Sequence, residues 1–168
     1  MAPYHAPSRR YGKLPDVADL IFRTALRSDV PAIVGLLADD PLGAGREVVT
    51  ESVDAAYWRA FDALAGDPRN TVVVAELAGS IVGTMQLILI PSLTRRGGLR
   101  MEIEGVRVAS AHRRTGIGRR MIAWAVAEAR DQGCTLVQLT TDKRRTDARR
   151  FYESLGFEAT HEGLKLTL

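Results

Sequence analysis

A run of arginine, threonine and glycine stands between a β-branched segment and a segment with helical periodicity. The run reads Arg113-Arg114-Thr115-Gly116-Ile117-Gly118, and Arg119 and Arg120 follow it. Glycine lets the backbone turn tightly and approach a ligand closely, and the free N–H groups of a first helical turn attract anions. Arginine adds charge-assisted hydrogen bonds to phosphate oxygens. The run therefore predicts a site for a phosphate or diphosphate group.

Two nucleotide-binding motifs do not fit this run. The chain contains no Gly-x-x-x-x-Gly-Lys-Ser/Thr sequence, which excludes a Walker-type loop. A dinucleotide-binding loop needs a third glycine where Met121 stands, and it normally follows an early strand of its fold rather than a late one. A plain strand-to-helix turn without a ligand stays open as the alternative.

The elements that position this run can be predicted from periodicity and from turn residues. Strands are expected over 21–25, 71–77, 81–90, 99–108 and 134–140, with a closing strand at the C-terminus. Helices are expected after a cap at Ser28-Asp29, from Thr50 or Ser52 up to Gly66, over 119–132 and over 146–154. This order predicts one α/β or α+β domain with a mixed sheet over residues 18–168, after a flexible extension over residues 1–17.

Length and composition limit the classes of function. The 168 residues suffice for one domain, and 46% hydrophobic with 26% charged residues is typical of soluble globular proteins. No apolar run reaches the roughly 20 residues of a membrane span, and the polar N-terminus does not resemble a secretory signal. The single Cys134 cannot form an internal disulfide, and no residue spacing suggests a metal site. We therefore expect a cytoplasmic protein without a metal or a membrane partner.

The net charge of +3 comes mainly from arginine and is compatible with nucleic acid or with a phosphorylated small molecule. Aromatic residues make up only 6% of the chain, and none interrupts the arginine-rich segment 95–120 to stack on bases. We therefore expect no nucleic-acid partner, with a basic nucleic-acid-binding domain as the rival class. That rival predicts salt-sensitive binding of DNA or RNA.

Two segments together resemble a known family. Arg-x-x-Gly-x-Gly at 113–118, preceded by Val106-Arg107-Val108, is similar to the acetyl-CoA signature of the GNAT superfamily of N-acetyltransferases. Residues 148–157, Ala-Arg-Arg-Phe-Tyr-Glu-Ser-Leu-Gly-Phe, resemble that superfamily's C-terminal motif, and the order of elements also matches over 20–168. The resemblance implies a mixed, mostly antiparallel sheet flanked by helices, whose splayed strands bind acetyl-CoA.

The resemblance also implies which residues bind this cosubstrate. The backbone of the strand holding Val106, Arg107 and Val108 would bind the pantetheine arm as an added strand would. The pyrophosphate would be bound by Arg113, Arg114, Thr115, Gly116, Ile117, Gly118 and Arg119. The segment 143–150 is the expected place for the adenosine end. Asp142 departs from the asparagine that many relatives carry, so no side-chain amide contact is expected there.

Acetyl transfer to an amine needs a base for the amine and a proton for the leaving thiolate. Tyr152 matches the position where the family often keeps a general acid, with packing in the core as the alternative. Glu104 matches the position of a carboxylate in several relatives, and Glu102 lies on the same strand face. The alternative for both carboxylates is that they lie on a solvated strand face and pair with Arg100 or Arg107.

The resemblance implies direct transfer to a primary amine of a small molecule. A peptide or protein amine is the alternative acceptor, and a CoA-binding regulatory module without activity is the alternative class. Tyr57, Trp58 and Phe61 are candidates for the acceptor pocket, although Trp58 and Phe61 also have the spacing of core residues. The loop 92–98 is a candidate lid or an exposed hairpin. A homodimer is compatible with the family, and no pattern identifies the acceptor.

Overall fold

A single five-stranded sheet forms the centre of the computed structural model, which describes residues 19–40, 47 and 53–168. The strands, in their order across the sheet, are β1 Leu20–Thr24, β2 Asn70–Leu77, β3 Ser80–Pro91, β4 Leu99–Val108 and β5 Leu136–Leu139. The helices are α1 Val30–Ala38, α2 Ala55–Ala65, the single turn α3 Thr94–Gly97, α4 Ile117–Asp131 and α5 Thr146–Glu153. Neighbouring strands are antiparallel except β4 and β5, which are parallel. This confirms the predicted single α/β domain with a mixed, mostly antiparallel sheet.

The main core lies between one face of the sheet and α4. Met85, Met101 and Ile103 point from alternate strand positions to this side, and α4 adds Met121 and Ile122 at helical spacing. All five side chains are at most 2% exposed. The helical periodicity predicted for this segment is therefore confirmed, and the buried side chains fix α4 and the turn before it against the sheet.

A bulge in β4 alters the strand near its end. Glu104 pairs with Gln86 and Arg107 pairs with Thr84, so two residues of β4 oppose the single residue between those partners. Gly105 in the bulge has φ +59°, a left-handed conformation that glycine adopts without strain. Because of the bulge, the Glu104 and Arg107 side chains share one face of the sheet.

The strands β4 and β5 separate along their length. Their pairing runs only from Arg100–Leu136 to Ile103–Leu139. Within the described chain, β4 beyond Ile103 therefore has no strand on that side, while β3 still pairs with its other side as far as Val108. This open strand edge is the feature that the resemblance predicted as splayed strands.

The start predicted for the first helix is confirmed in position, and the start predicted for the second is wrong. Asp29 stands at the N-cap position of α1, but its carboxylate makes no capping bond to the helix. It accepts hydrogen bonds from Leu26 N–H at 2.7 Å and from Arg23, and so closes the 3₁₀ turn before the helix. The second helix begins at Ala55, because the Asp54 carboxylate accepts from Ala56 N–H at 2.7 Å. Thr50 and Ser52, which we expected to open it, lie outside the described residues, as does the predicted extension 1–17.

The closing strand expected at the C-terminus is also wrong. Leu164, Leu166 and Leu168 have the alternation of a strand, but residues 157–168 form no ladder with any described strand. The three leucines are exposed. Alternation identifies a segment that is able to pair, whereas pairing requires a partner edge alongside it. No helix in the described part of the chain is long and apolar enough to cross a membrane.

Candidate active site

The arginine–glycine run forms the turn between β4 and α4. Arg114 has φ +66° and Gly116 has φ +93°, and these two left-handed residues redirect the chain so that α4 begins at Ile117. Arg120 N–H donates to the Gly116 carbonyl at 3.1 Å. The N–H groups before it in the first turn have no acceptor within the helix. The turn therefore presents backbone donors at the positive end of the helix dipole, as the sequence predicted for an anion site.

The absence of a side chain at Gly118 keeps a space open next to these donors. A Cβ atom there would lie 3.6 Å from Phe151 Cζ and 3.8 Å from Val108 Cγ2. The space is therefore bounded by the first turn of α4, the end of β4 and α5. This is the position at which the resemblance expects the pyrophosphate of acetyl-CoA.

Two side chains of the run stabilise the turn itself. Arg113 Nε donates to the Val108 carbonyl at 3.1 Å, and Arg113 Nη2 donates to the Asp39 carbonyl at 2.6 Å. Thr115 Oγ1 donates to the His112 carbonyl at 2.7 Å. Arg113 thus joins the ends of β4 and α1, and its other role as a phosphate ligand stays a prediction.

The open edge of β4 has its backbone groups directed away from β3. Ala109 N–H donates to Val82 O at 2.9 Å, so the alternate residues Val106 and Val108 face the opposite side. The Val106 carbonyl accepts from Arg107 Nη1 at 2.8 Å, and the Val108 carbonyl accepts from Arg113 Nε. No described strand covers the N–H groups on this side, which agrees with the expected binding of an extended ligand arm.

Tyr152 of α5 stands in a largely apolar environment. Its ring centroid lies 5.1 Å from that of Phe151 and 5.9 Å from that of Phe157. Burial raises the pKa of the phenol, while the nearby charges of Arg107 and Arg145 act in the opposite direction. The hydroxyl makes no hydrogen bond to the described residues. The phenol is therefore protonated at neutral pH and has a donor available for a ligand.

Asp40 joins the elements around that phenol, and sequence reasoning missed it. It is 6% exposed, Arg145 binds both of its carboxylate oxygens, and Arg107 Nη2 lies 3.8 Å from its Oδ2. The end of α1, the end of β4 and the start of α5 thus meet at one carboxylate. A signal was present, because Asp39-Asp40 places two acids at a helix C-terminus, where the helix dipole disfavours negative charge.

The two candidate carboxylates on β4 have different environments. Glu102 is 8% exposed and accepts a hydrogen bond from the Gln138 amide of β5. Glu104 is exposed and lies opposite Gln86, next to the bulge. Glu104 is therefore the one of the two that a soluble amine can reach.

Apart from Arg145, which pairs with the buried Asp40, the basic segment 143–150 carries exposed ion pairs. Arg144 Nη2 lies 2.8 Å from Asp142 Oδ2 and holds the pKa of that carboxyl well below its usual range. Two further arginines of the segment pair on α5 with Asp147 and Glu153. Arg119 lies nearby and donates to Ser154 Oγ at 3.1 Å. Because exposed pairs contribute little stability, these guanidinium groups can change partner when a phosphate arrives.

A cavity of about 170 Å³ lies on the opposite face of the sheet, beneath α1 and α2. Tyr57 and Phe61 line it, as the sequence suggested for an acceptor pocket. Trp58 does not, because its ring packs against the Arg27 guanidinium at 4.5 Å. The cavity reaches Gly105 of the bulge and so approaches the open edge of β4 from the side away from α4.

The loop 92–98 does not cover this cavity's lining residues. It contains α3, whose Arg95 and Arg96 have φ of +52° and +59°, and Leu93 is 99% exposed. The described residues contain no group of three or more His, Cys, Asp or Glu side chains suited to a metal. Cys134 packs against the core, and burial raises the pKa of its thiol.

Comparison with known proteins identifies the family of this fold and site. Residues 34–157 match the model of the acetyltransferase (GNAT) family. The chain therefore belongs to the GNAT family, and it is an acyltransferase of the N-acetyltransferase class. The resemblance seen in the sequence is confirmed.

Several relatives have names or solved structures. The chain is 28% identical to a glucosamine 6-phosphate N-acetyltransferase of Trypanosoma brucei brucei, over 92% of this chain and 100% of that protein. It is 31% identical to an aminoalkylphosphonate N-acetyltransferase of Salmonella typhimurium, over 69% of this chain and 85% of that protein. A structure described as a transcriptional regulator from Bacillus halodurans C-125 superposes with a TM-score of 0.87 at 46% identity, over 89% and 99% of the two chains.

Proposed function

We propose that this enzyme transfers the acetyl group of acetyl-CoA directly to a primary amine of a small molecule. The observation that carries the proposal is the open edge of β4, whose end lies next to Gly118 of α4 and Phe151 of α5, the neighbour of Tyr152. A ligand arm along this edge has backbone donors at its phosphate end and a protonated phenol at its reactive end. The family uses acetyl-CoA, and this edge fits its extended shape.

The binding roles follow from position. Val106 and Val108 bind the pantetheine arm through their backbone, with Arg107 between them on the strand. The pyrophosphate is bound by the first turn of α4 and the residues before it, Arg113, Arg114, Thr115, Gly116, Ile117, Gly118 and Arg119. The exposed arginines of segment 143–150 bind the adenosine end. Removal of one phosphate-binding group weakens cosubstrate binding without altering the acceptor site.

The catalytic roles follow from the chemistry of two polar groups, Glu104 next to the bulge and Tyr152 on α5. Acetyl-CoA, when bound, supplies an acetyl group activated as a thioester. Glu104 removes a proton from the acceptor ammonium, directly or through one water, so that the amine nitrogen attacks the carbonyl carbon. Tyr152 holds a proton for the sulfur as the carbon–sulfur bond breaks. No covalent enzyme intermediate is needed, because the amine is itself the nucleophile.

The choice of a small amine rests on the relatives, whose names give small phosphorylated or phosphonate amines as acceptors. A peptide or protein amine is the alternative acceptor. A CoA-binding regulatory module is the alternative class, favoured by the description of the Bacillus halodurans structure as a transcriptional regulator. The exposed Glu104 and the unbonded Tyr152 hydroxyl support catalysis instead. The cytoplasmic location, the homodimer and the absence of nucleic-acid, membrane or metal partners stay predictions.

The proposal is tested by a screen of primary amines with acetyl-CoA, in which release of the free thiol is followed. We expect amine-dependent thiol release well above the hydrolysis of acetyl-CoA alone, with the acetylated amine detected by mass spectrometry. Binding of acetyl-CoA without turnover of any small amine or peptide amine would favour the regulatory module. Nucleic-acid binding that acetyl-CoA does not displace would support the basic-domain rival.

A further inference from the structure

We infer that the acceptor is an amine with an uncharged apolar side chain, which occupies the cavity beneath α1 and α2 while its amino group lies at Glu104. The inference rests on the proposed function and adds the chemical class of the acceptor. It differs from the acceptors that the relatives' names give, which carry phosphate or phosphonate groups.

The lining of the cavity is almost entirely aliphatic and aromatic. The helices contribute Val30, Ile33, Val34, Leu37, Phe61 and Leu64. None of the described lining residues carries a charge. A cavity of about 150 Å³ with such a lining holds a benzene ring, so the observed 170 Å³ accommodates a phenyl group or a short branched alkyl chain. A phosphate or carboxylate at this end of the acceptor would be desolvated without a cation among the described lining residues to pair with it.

The few polar groups of the lining are already bonded within the protein. The Thr84 hydroxyl donates to the Val73 carbonyl at 3.0 Å, and Gln86 Nε2 donates to an Asn70 oxygen at 2.7 Å. The Tyr57 hydroxyl donates to a Glu47 carboxylate oxygen at 2.8 Å. A polar acceptor side chain would compete for these groups, whereas an apolar one leaves them satisfied. The hydrogen bonding of the lining therefore selects against hydroxylated acceptors such as sugars.

One end of the cavity also lies next to Glu104, where the amino group of the acceptor would react. Gly105 and Gln86 belong to its lining, and Gln86 is the register partner of Glu104. An acceptor with its side chain in the cavity therefore has its amino group next to the exposed carboxylate. The helix α2, which closes the other side, contains no buried residue even though Phe61 and Leu64 face inward. An apolar ligand would remove this exposed apolar surface from water.

The test compares two groups of amines at saturating acetyl-CoA. Benzylamine and isopentylamine represent the apolar class, and ethanolamine, 2-aminoethylphosphonate and glucosamine 6-phosphate represent the polar class. We expect kcat/KM to be roughly tenfold or more higher for the apolar class, which is the discrimination that hydrophobic pockets achieve.

Two matched variants of α2 locate the effect. Ala60 lines the cavity, and Ala63 on the same helix does not. Ala60→Phe fills the cavity and should raise KM for benzylamine roughly tenfold. Ala63→Phe should leave KM for benzylamine unchanged. Neither variant should alter the binding of acetyl-CoA. Ala60→Leu serves if Ala60→Phe does not fold. Protection of the wild type against thermal unfolding by benzylamine in the presence of CoA provides a measurement that needs no variant.

The outcomes separate this inference from the proposed function. Acetylation of polar amines at equal or higher kcat/KM, or equal effects of Ala60→Phe and Ala63→Phe on benzylamine, would overturn the inference and leave the proposed function intact. If no amine of either group is acetylated but the wider screen finds another small amine that is, only the inference is overturned; if the protein binds acetyl-CoA and the whole screen finds no acceptor, both are overturned.

Discussion

At the scale of single residues, Tyr152 is the group whose chemistry is most sharply defined by its surroundings. The Tyr152→Phe substitution retains the ring between Phe151 and Phe157 and removes only the hydroxyl. We expect kcat to fall by about 100-fold or more, the usual effect of losing a general acid, with the dissociation constant of acetyl-CoA little changed. Steady-state kinetics and calorimetric titration measure the two quantities. A loss of activity matched by a loss of folded protein would instead indicate a packing role.

The pH dependence of kcat provides a second measurement on the same residue. Burial raises the pKa of Tyr152, and an acid acts only while protonated, so activity that depends on it is lost as pH rises through that pKa. An unperturbed tyrosine has a pKa of about 10. We therefore expect kcat to show no alkaline decrease attributable to this group below about pH 10. A decrease centred near neutral pH that disappears in Tyr152→Phe would contradict the pKa direction.

Glu104 and Glu102 form a natural pair for testing the base. Glu104→Gln should lower kcat/KM for the amine by about 100-fold, because an amide cannot accept the ammonium proton. Glu102→Gln should leave the rate within a few-fold of wild type, since its side chain is buried against Gln138 and cannot be reached by the amine. Equal losses in both variants would show that the carboxylates act through the strand's stability and not through proton transfer.

At the scale of elements, Asp40 holds together three segments that border the site. Its carboxylate pairs with Arg145 and lies near Arg107; the Asp40 side chain is buried and the two guanidinium groups are partly buried. Asp40→Asn removes the buried negative charge between them, so we expect the free energy of unfolding to fall by about 3 kcal/mol. Urea denaturation measures it. Asp142→Asn is the control, because its exposed pair with Arg144 contributes little. Equal losses of unfolding free energy in the two variants would contradict the claim that burial makes the Asp40 pair more important.

Several elements followed directly from the sequence because local patterns determine them. The strand Leu99–Val108 has the predicted bounds, and α4 buries side chains with the predicted helical periodicity. The turn before α4 was predictable because glycine permits the tight turn and the left-handed conformation that Gly116 adopts there. What remained hidden depends on contacts between distant segments. Asp40 and Arg145 form an ion pair although they are 105 positions apart in the sequence, and residue periodicity cannot predict such a pair.

At the scale of the whole molecule, the sheet explains why the two motifs work together. The parallel pairing of β5 with β4 stops at Ile103, which opens the strand edge between α4 and α5. The run 113–118 begins one of those helices, and Tyr152 belongs to the other. The position of the site therefore depends on where the strands end, and sequence patterns predict strand ends only approximately. The bulge at Gly105 and the C-terminal segment, where a predicted strand is absent, have the same limitation because both depend on register with a partner.

The central claim is that the open edge beside Gly118 binds acetyl-CoA. Isothermal titration of acetyl-CoA into wild type and into Gly118→Trp tests it most directly, because an indole at this position would fill the space between Phe151 and Val108. Gly35→Trp is the matched control, since a Cβ at that helical glycine meets nothing within 4 Å. We predict micromolar binding by wild type and by Gly35→Trp, and loss of binding in Gly118→Trp that remains folded. Unchanged binding by Gly118→Trp, or no binding by folded wild type, would contradict the cosubstrate site and the catalytic roles that depend on it.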